Sequence, residues 1–274
     1  MYRWDGGFIM VDPEKFEIGV QWYQDILGWD CVDRITTWVG RKAFMKLPRS
    51  GMVTIKSFEG EYEHFEPSEV EGNVKLVFVT YDLHKTQKYL EGVDVQLTET
   101  KQLPNGQRFC EIIAFDKTKL TIVEEPNEGD DNVYPASGII GFGKVNTIIH
   151  VKDPAISAKW YENYLGFEIV EISEDNGYAH LQTEDAYDRN VLGERFLDNI
   201  WLLSSSQSVN IPNDNKARTY YDIRPETFFE EYNKLIKSGI KPSEIAGDPI
   251  NGWGGFHFYD PDHNRINVWS YKSN

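Results

Sequence analysis

Cysteine is nearly absent from this chain. Cys31 and Cys110 are the only two, and they form neither a CxxC pair nor the framework of a disulfide-stapled domain. Both read as ordinary thiols of a reducing compartment. Positive charge is also scarce: 28 Lys and Arg stand against 44 Asp and Glu, for a formal charge of −16. Such a surface repels a polyanionic duplex and argues against nucleic-acid binding. No apolar run could span a bilayer, and Met1-Tyr2-Arg3-Trp4-Asp5 lacks the hydrophobic stretch of a secretory signal. A cytoplasmic protein with no membrane partner is therefore expected. GxGxxG, Walker and GxSxG motifs are missing as well. Gly252-Trp253-Gly254-Gly255 is glycine-rich without a phosphate-binding context; it reads as a loop at a pocket mouth, with Trp253 as a lid.

What is present suits packed domains. Hydrophobic residues make up 40% of the 274 positions and aromatics 14%, enough for real cores, and most of the aromatics are expected to fill them. The acidic run Glu59 to Glu63 reads as solvated loop, since its spacing matches no calcium loop.

The chain also repeats itself. Asp12-Pro13, Trp22-Tyr23 and Leu27-Gly28-Trp29 recur as Asp153-Pro154, Trp160-Tyr161 and Leu165-Gly166-Phe167, with three extra residues before Trp22 in the first copy. The grammar is that of a helix: Asp caps the start, Pro suits the first position, and Gly supplies the left-handed stop. An apolar strand precedes each copy, at 7–11 and 145–151. A second strand–helix unit follows in each half, with strands at 74–79 and 220–223 and helices at 83–91 and 226–238. Further strands are expected at 108–115 and 120–124, and at 255–259 and 266–271. Between the halves, Pro126 to Asn132, Pro135 and Gly138 lose apolar periodicity and read as a linker. The expected division is 1–125, a linker at 126–141, and 142–274. Shorter polar joins are expected at 56–73 and 204–216.

Strand, Asp-Pro, a helix ending Trp-Tyr…Leu-Gly-Phe, and the late turn Asp260-Pro261-Asp262-His263-Asn264 together resemble the vicinal oxygen chelate superfamily. That superfamily includes lactoylglutathione lyases, bleomycin-resistance proteins, fosfomycin-modifying enzymes and extradiol ring-cleavage dioxygenases. The resemblance implies an α+β fold of tandem glyoxalase-like domains. Four βαβββ modules would build them, each domain a curved, mostly antiparallel sheet around a cavity, as a monomer or homodimer. Taken alone, the late turn can also be a plain connector, because Asp, Pro and Asn favour tight turns.

The resemblance also implies where a metal would be held, and those positions have the wrong side chains. Counting seven residues back from Asp153 gives Asn146; the strand opening the last module offers Arg218; seven residues beyond Asp260 lies Asn267. Amides are poor ligands for transition metals, and a guanidinium has no lone pair to give. In the first half Asp5, Lys75 and a residue near Thr121 occupy the matching places, with Asp5 and Lys75 read as an ion pair. No metal and no cofactor are therefore expected.

Alternation along strands then selects a pocket in the second half. Asn146, Arg218, Tyr220, Asn267, Trp269 and Trp253 are its ligand-binding candidates, and His150 and His257 its candidates for proton transfer. His180 is a further lining candidate. Arg218 can fork onto a carboxylate or phosphate, or pair with Asp222 instead. Three functions remain open, in descending order. The first is a metal-independent small-molecule binder with a partly apolar, anionic ligand. The second is a lyase or dioxygenase-like enzyme using the histidines or a relocated metal. The third is a partner-binding protein.

Overall fold

One sequence of elements recurs four times. The computed structural model describes residues 2–37, 40–57, 72–184, 197–205 and 216–271. The first module comprises β1 (Arg3–Met10), α1 (Phe16–Trp22), β2 (Asp30–Thr37), β3 (Gly40–Lys46) and β4 (Met52–Lys56). The second comprises β5 (Val74–Thr80), α2 (Leu83–Gly92), the short β6 (Gln96–Leu97) and β7 (Lys101–Gln102), then β8 (Arg108–Ile113) and β9 (Lys119–Glu124). In the third are β10 (Val145–Val151), α3 (Pro154–Leu165), β11 (Glu168–Ser173), β12 (Tyr178–Glu184) and β13 (Leu197–Ser204). The fourth has β14 (Ala217–Asp222), α4 (Phe228–Lys237), the short β15 (Ala246–Gly247), β16 (Trp253–Tyr259) and β17 (Arg265–Tyr271).

Local chemistry sets the helix ends. Asp153 accepts from the Ile156 amide at 3.0 Å and Pro154 opens α3. Asp12 does the same for the Glu14 amide at 3.1 Å. Gly166 and Gly28 close the two copies at φ of 75° and 73°, where a Cβ would be strained. The first copy takes up its extra length in a 3-10 turn at Pro13–Lys15.

The strands assemble into two curled sheets. One has eight strands in the order β15-β16-β17-β14-β1-β4-β3-β2; the other has nine, β11-β12-β13-β10-β5-β9-β8-β6, with β7 beside β8. Each sheet joins one module from each half. The first and fourth modules meet through β1 and β14, antiparallel with Phe8 opposite Arg218. The second and third meet through β5 and β10, with Leu76 opposite Thr147. This corrects the expectation of one sheet per half: the inner edge of each module is covered by a strand from the other half.

Aromatic side chains carry the core across both sheets. Tyr23 stacks on Trp29 at 5.2 Å, Trp29 meets Phe78 at 5.0 Å, Phe78 meets Phe142 at 5.1 Å, and Phe142 meets Trp4 edge-on at 4.9 Å. Trp4 belongs to one sheet and Phe78 to the other, so the rings bridge them. The expected linker divides in character: Val133 is exposed, whereas Ser137, Ile139 and Ile140 are buried. The Asp260 turn is more than a connector. Its carboxylate accepts from the Tyr161 hydroxyl at 2.8 Å and from the Asn264 amide at 2.8 Å, fastening the fourth module to α3 of the third. Among the described residues no helix is long and apolar enough to cross a membrane.

Candidate functional site

The concave face of the eight-stranded sheet gathers most of the expected residues. Pairing places Arg218 beside Phe8, Tyr220 beside Asn267, Asp222 beside Trp269, and His257 beside Asn267. A bulge between Trp4 and Gly7 shifts β1 by one residue, so that Phe8, rather than Gly7, shares the face of Asp5. Gly7 has its own reason: a Cβ there would meet the Arg218 carbonyl at 2.6 Å.

Rings and cations alternate across this face. Tyr220 stacks between Phe8 at 4.5 Å and Trp269 at 5.2 Å. The Lys56 ammonium lies 4.1 Å from the Phe8 ring centre and 4.3 Å from that of Tyr220, with only 6% of the residue exposed. Arg218 is 4% exposed and sits 5.6 Å from Phe8. Asp222 binds Arg3; burial nonetheless pushes the Asp222 carboxyl above its ordinary range. The Trp269 indole donates to Asp5 at 2.7 Å. Asn267 is a clamp, donating to the Thr219 carbonyl at 3.2 Å and accepting from Arg265 at 3.0 Å. Arg265 also reaches His257 Nδ1 at 3.2 Å. An Nδ1 that accepts from a guanidinium leaves the ring proton on Nε2. Trp253 stands at the rim, 39% exposed, with Lys42 Nζ 4.8 Å from its ring. Burial lowers the Lys42 pKa.

Lys56, Phe8, Lys42 and Arg265 escaped sequence reasoning. Lys56 was assigned to a polar join but ends β4, and the bulge hid Phe8 from counting by twos. The alternating pattern Lys42, Phe44 and Lys46 on β3 was the available signal.

Two expected residues lie elsewhere. Asn146 and His150 are on β10, in the nine-stranded sheet, and so do not join Arg218 and Asn267 as expected. Asn146 is fully buried at a bulge, its amide without a hydrogen-bond partner among the described residues. His150 is held below its ordinary value, first by burial and then by Lys75. Lys75 pairs with Glu111 at 3.1 Å, so the expected Asp5–Lys75 pair does not form. The middle of this second face is filled by Val77, Val123, Val145, Ile148 and Trp201.

Residues 143–268 match the family model of the Glyoxalase/Bleomycin resistance protein/Dioxygenase superfamily. Over the whole chain, the fold is similar to two solved structures. Glyoxalase I from Zea mays has a TM-score of 0.63 at 12% identity, covering 98% of this chain and 92% of that one. A chain from Bacillus subtilis subsp. subtilis str. 168, whose assignment as a dioxygenase is itself provisional, has a TM-score of 0.62 at 15% identity, covering 100% of this chain and 87% of that one. No curated protein matches the sequence significantly. Residues 143–268 thus carry a domain of that superfamily, and the whole chain shares the fold of glyoxalase I.

The superfamily's metal positions can now be sorted by sheet. Asp5, Arg218 and Asn267 share the eight-stranded sheet; Lys75, Thr121 and Asn146 share the nine-stranded one. Neither trio fits a transition metal. The first has one carboxylate, already taken by an indole, beside a guanidinium; the second offers an ammonium, a hydroxyl and an amide. Among the described residues no three His, Cys, Asp or Glu side chains converge as a metal would require.

Proposed function

We propose that this superfamily member binds a small, partly aromatic anion on the concave face of the eight-stranded sheet, without the family's metal ligands. The observation that carries the reading is the stack of Phe8, Tyr220 and Trp269 around the buried Lys56 ammonium, with Arg218 beside it. Holding cations among rings in a chain of charge −16 sacrifices apolar burial, which a binding face repays through affinity. A flat guest stacks on the exposed part of Tyr220 and Trp269, while its carboxylate shares the guanidinium of Arg218.

Calorimetric titration with benzoate tests this. Saturable binding is expected in chelator-treated protein, and Arg218→Ala should weaken it by about 2–5 kcal/mol, the usual loss on breaking a buried charged contact. Arg218→Lys should recover only part, lacking the planar fork. Equal affinity in wild type and Arg218→Ala would sink the anionic reading. Binding that vanishes on chelation and returns with zinc would sink the metal-independent one. Recovery of unchanged ligand distinguishes a binder from an enzyme that uses His257.

A further inference from the structure

The concave face of the eight-stranded sheet carries a row of rings with a cation at each end. Tyr220 stacks on Phe8 and on Trp269, and Trp269 meets Tyr271 at 5.6 Å. Trp253 pairs with Tyr271 in register across β16 and β17. Arg218 lies 5.6 Å from Phe8, where the row begins, and the Lys42 ammonium lies 4.8 Å from Trp253, where it ends. From this arrangement we infer that the guest is a flat dicarboxylate, anionic at both ends, and that Lys42 selects it. The inference rests on the anion reading proposed above and adds the second charge.

The sheet gives Lys42 no counter-charge. Its partners in register are Ile35 on β2 and Lys56 on β4. Residues opposite one another share a face, so both lysines belong to the concave side, where like charges in register repel. Among the described residues no carboxylate pairs with the Lys42 ammonium. It meets Trp253 instead, although β16 stands five strands from β3 in the sheet; the curl of the sheet brings them together across its mouth. A ring quadrupole compensates a cation only in part. Burial lowers the Lys42 pKa, as expected of an ammonium short of solvation. A guest carboxylate supplies the missing partner. Lys56 is buried between Phe8 and Tyr220, and Arg265 is bound to Asn267 and His257. Lys42 is only half-buried, so its ammonium can turn toward a guest while staying at the mouth.

The chain as a whole opposes a second negative charge. At a formal charge of −16, its general field disfavours a dianion more than a monoanion. A preference for the dianion must therefore come from a local cation.

Terephthalate and its monoamide have the same shape and differ by one charge. The same holds for para-substituted biphenyl dicarboxylate and its monoamide, which suit a longer span. Competition calorimetry on the full chain measures the preference for dianion over monoamide in each pair. Wild type should prefer at least one dianion, and Lys42→Gln should cut that preference about fivefold, the upper end for a partly exposed ion pair. Lys42→Arg keeps the charge and should retain most of the preference. Lys46→Gln removes a charge from an exposed position on the same strand and should leave it as in wild type. Failure of both dianions to bind, a preference unmoved by Lys42→Gln, or an equal loss in Lys46→Gln would each overturn the inference. Benzoate binding without any preference for a dianion would end this inference and leave the anion reading standing. Failure of benzoate, the monoamides and the dianions alike would end both.

Discussion

The concave face of the eight-stranded sheet holds Lys56, Arg218, Arg265 and Asp5 among Phe8, Tyr220 and Trp269. The matching face of the nine-stranded sheet closes on Val77, Val123, Val145, Ile148 and Trp201, with the Lys75–Glu111 pair beside them. Both faces come from pairs of the same kind of module, joined antiparallel through their opening strands. Fully burying an aliphatic side chain stabilises by about 1.5–3 kcal/mol, so the filled face supports the fold. On the other face that contribution is given up for charge, and a buried charge is favourable only when something compensates it. The contrast is the physical basis of the anion site proposed above.

The largest effects should separate the two faces. Ile148→Ala removes a buried group and should lower stability by about 2–5 kcal/mol, read from urea unfolding, with benzoate affinity unchanged. Tyr220→Ala should do the reverse, losing roughly tenfold in affinity from a missing stacking surface and less in stability, since its ring is only partly buried. If Ile148→Ala weakened benzoate as much as Tyr220→Ala, the two faces would not be independent.

The modules were legible in the sequence because their signals are local. Asp153, Pro154 and Gly166 cap one helix with groups only a few residues away, and the same holds for Asp82, which accepts from the Lys85 amide at 2.9 Å to open α2. Module pairing was not legible. β1, β5, β10 and β14 all open modules and are largely buried, so periodicity does not say which one lies beside which. That ambiguity put Asn146 and His150 with Arg218. Within a strand, counting by twos worked from Arg218 to Tyr220 and from Asn267 to Trp269, where no bulge intervenes. It failed on β1, where Gly6 adopts a φ of 85° and breaks the alternation.

A smaller effect should come from the tie between the sheets. Tyr161 donates to Asp260, and Ser157 Oγ lies 3.2 Å from Asp262, so α3 of one sheet's module grips the final turn of the other's. Burial holds the Asp260 carboxyl above its ordinary range, partly offset by the Asn264 and Tyr161 hydrogen bonds. Tyr161→Phe keeps the ring and removes the donor, and should cost about 1–3 kcal/mol by leaving a buried acceptor short of a partner. A single unfolding transition at a lower midpoint is expected. An unchanged midpoint would mean that Asn264 and the backbone amides of the turn satisfy the Asp260 carboxylate without Tyr161.

The smallest effect concerns His150, which sequence reasoning grouped with His257 and the fold separates from it. Its pKa lies below the ordinary 6.5, first through burial and then through the neighbouring Lys75 ammonium. The sign follows from proton counting. Between the lowered folded value and about 6.5 the unfolded chain binds a proton that the folded chain does not, so stability rises with pH across that window. The contribution is fully present above about pH 6.5 and is lost as pH falls toward the folded value. His150→Gln removes the titrating group, and the acid-side slope of the urea midpoint between about pH 7.5 and pH 5.5 should become shallower. The imidazole signal of His150 in the folded protein should titrate below 6.5 as well. A slope identical to wild type, or a folded-state titration at or above the ordinary value, would show that the nine-stranded face does not exclude water from His150. The filled face would then have to be redrawn as open, and the contrast with the cationic face would lose its physical basis.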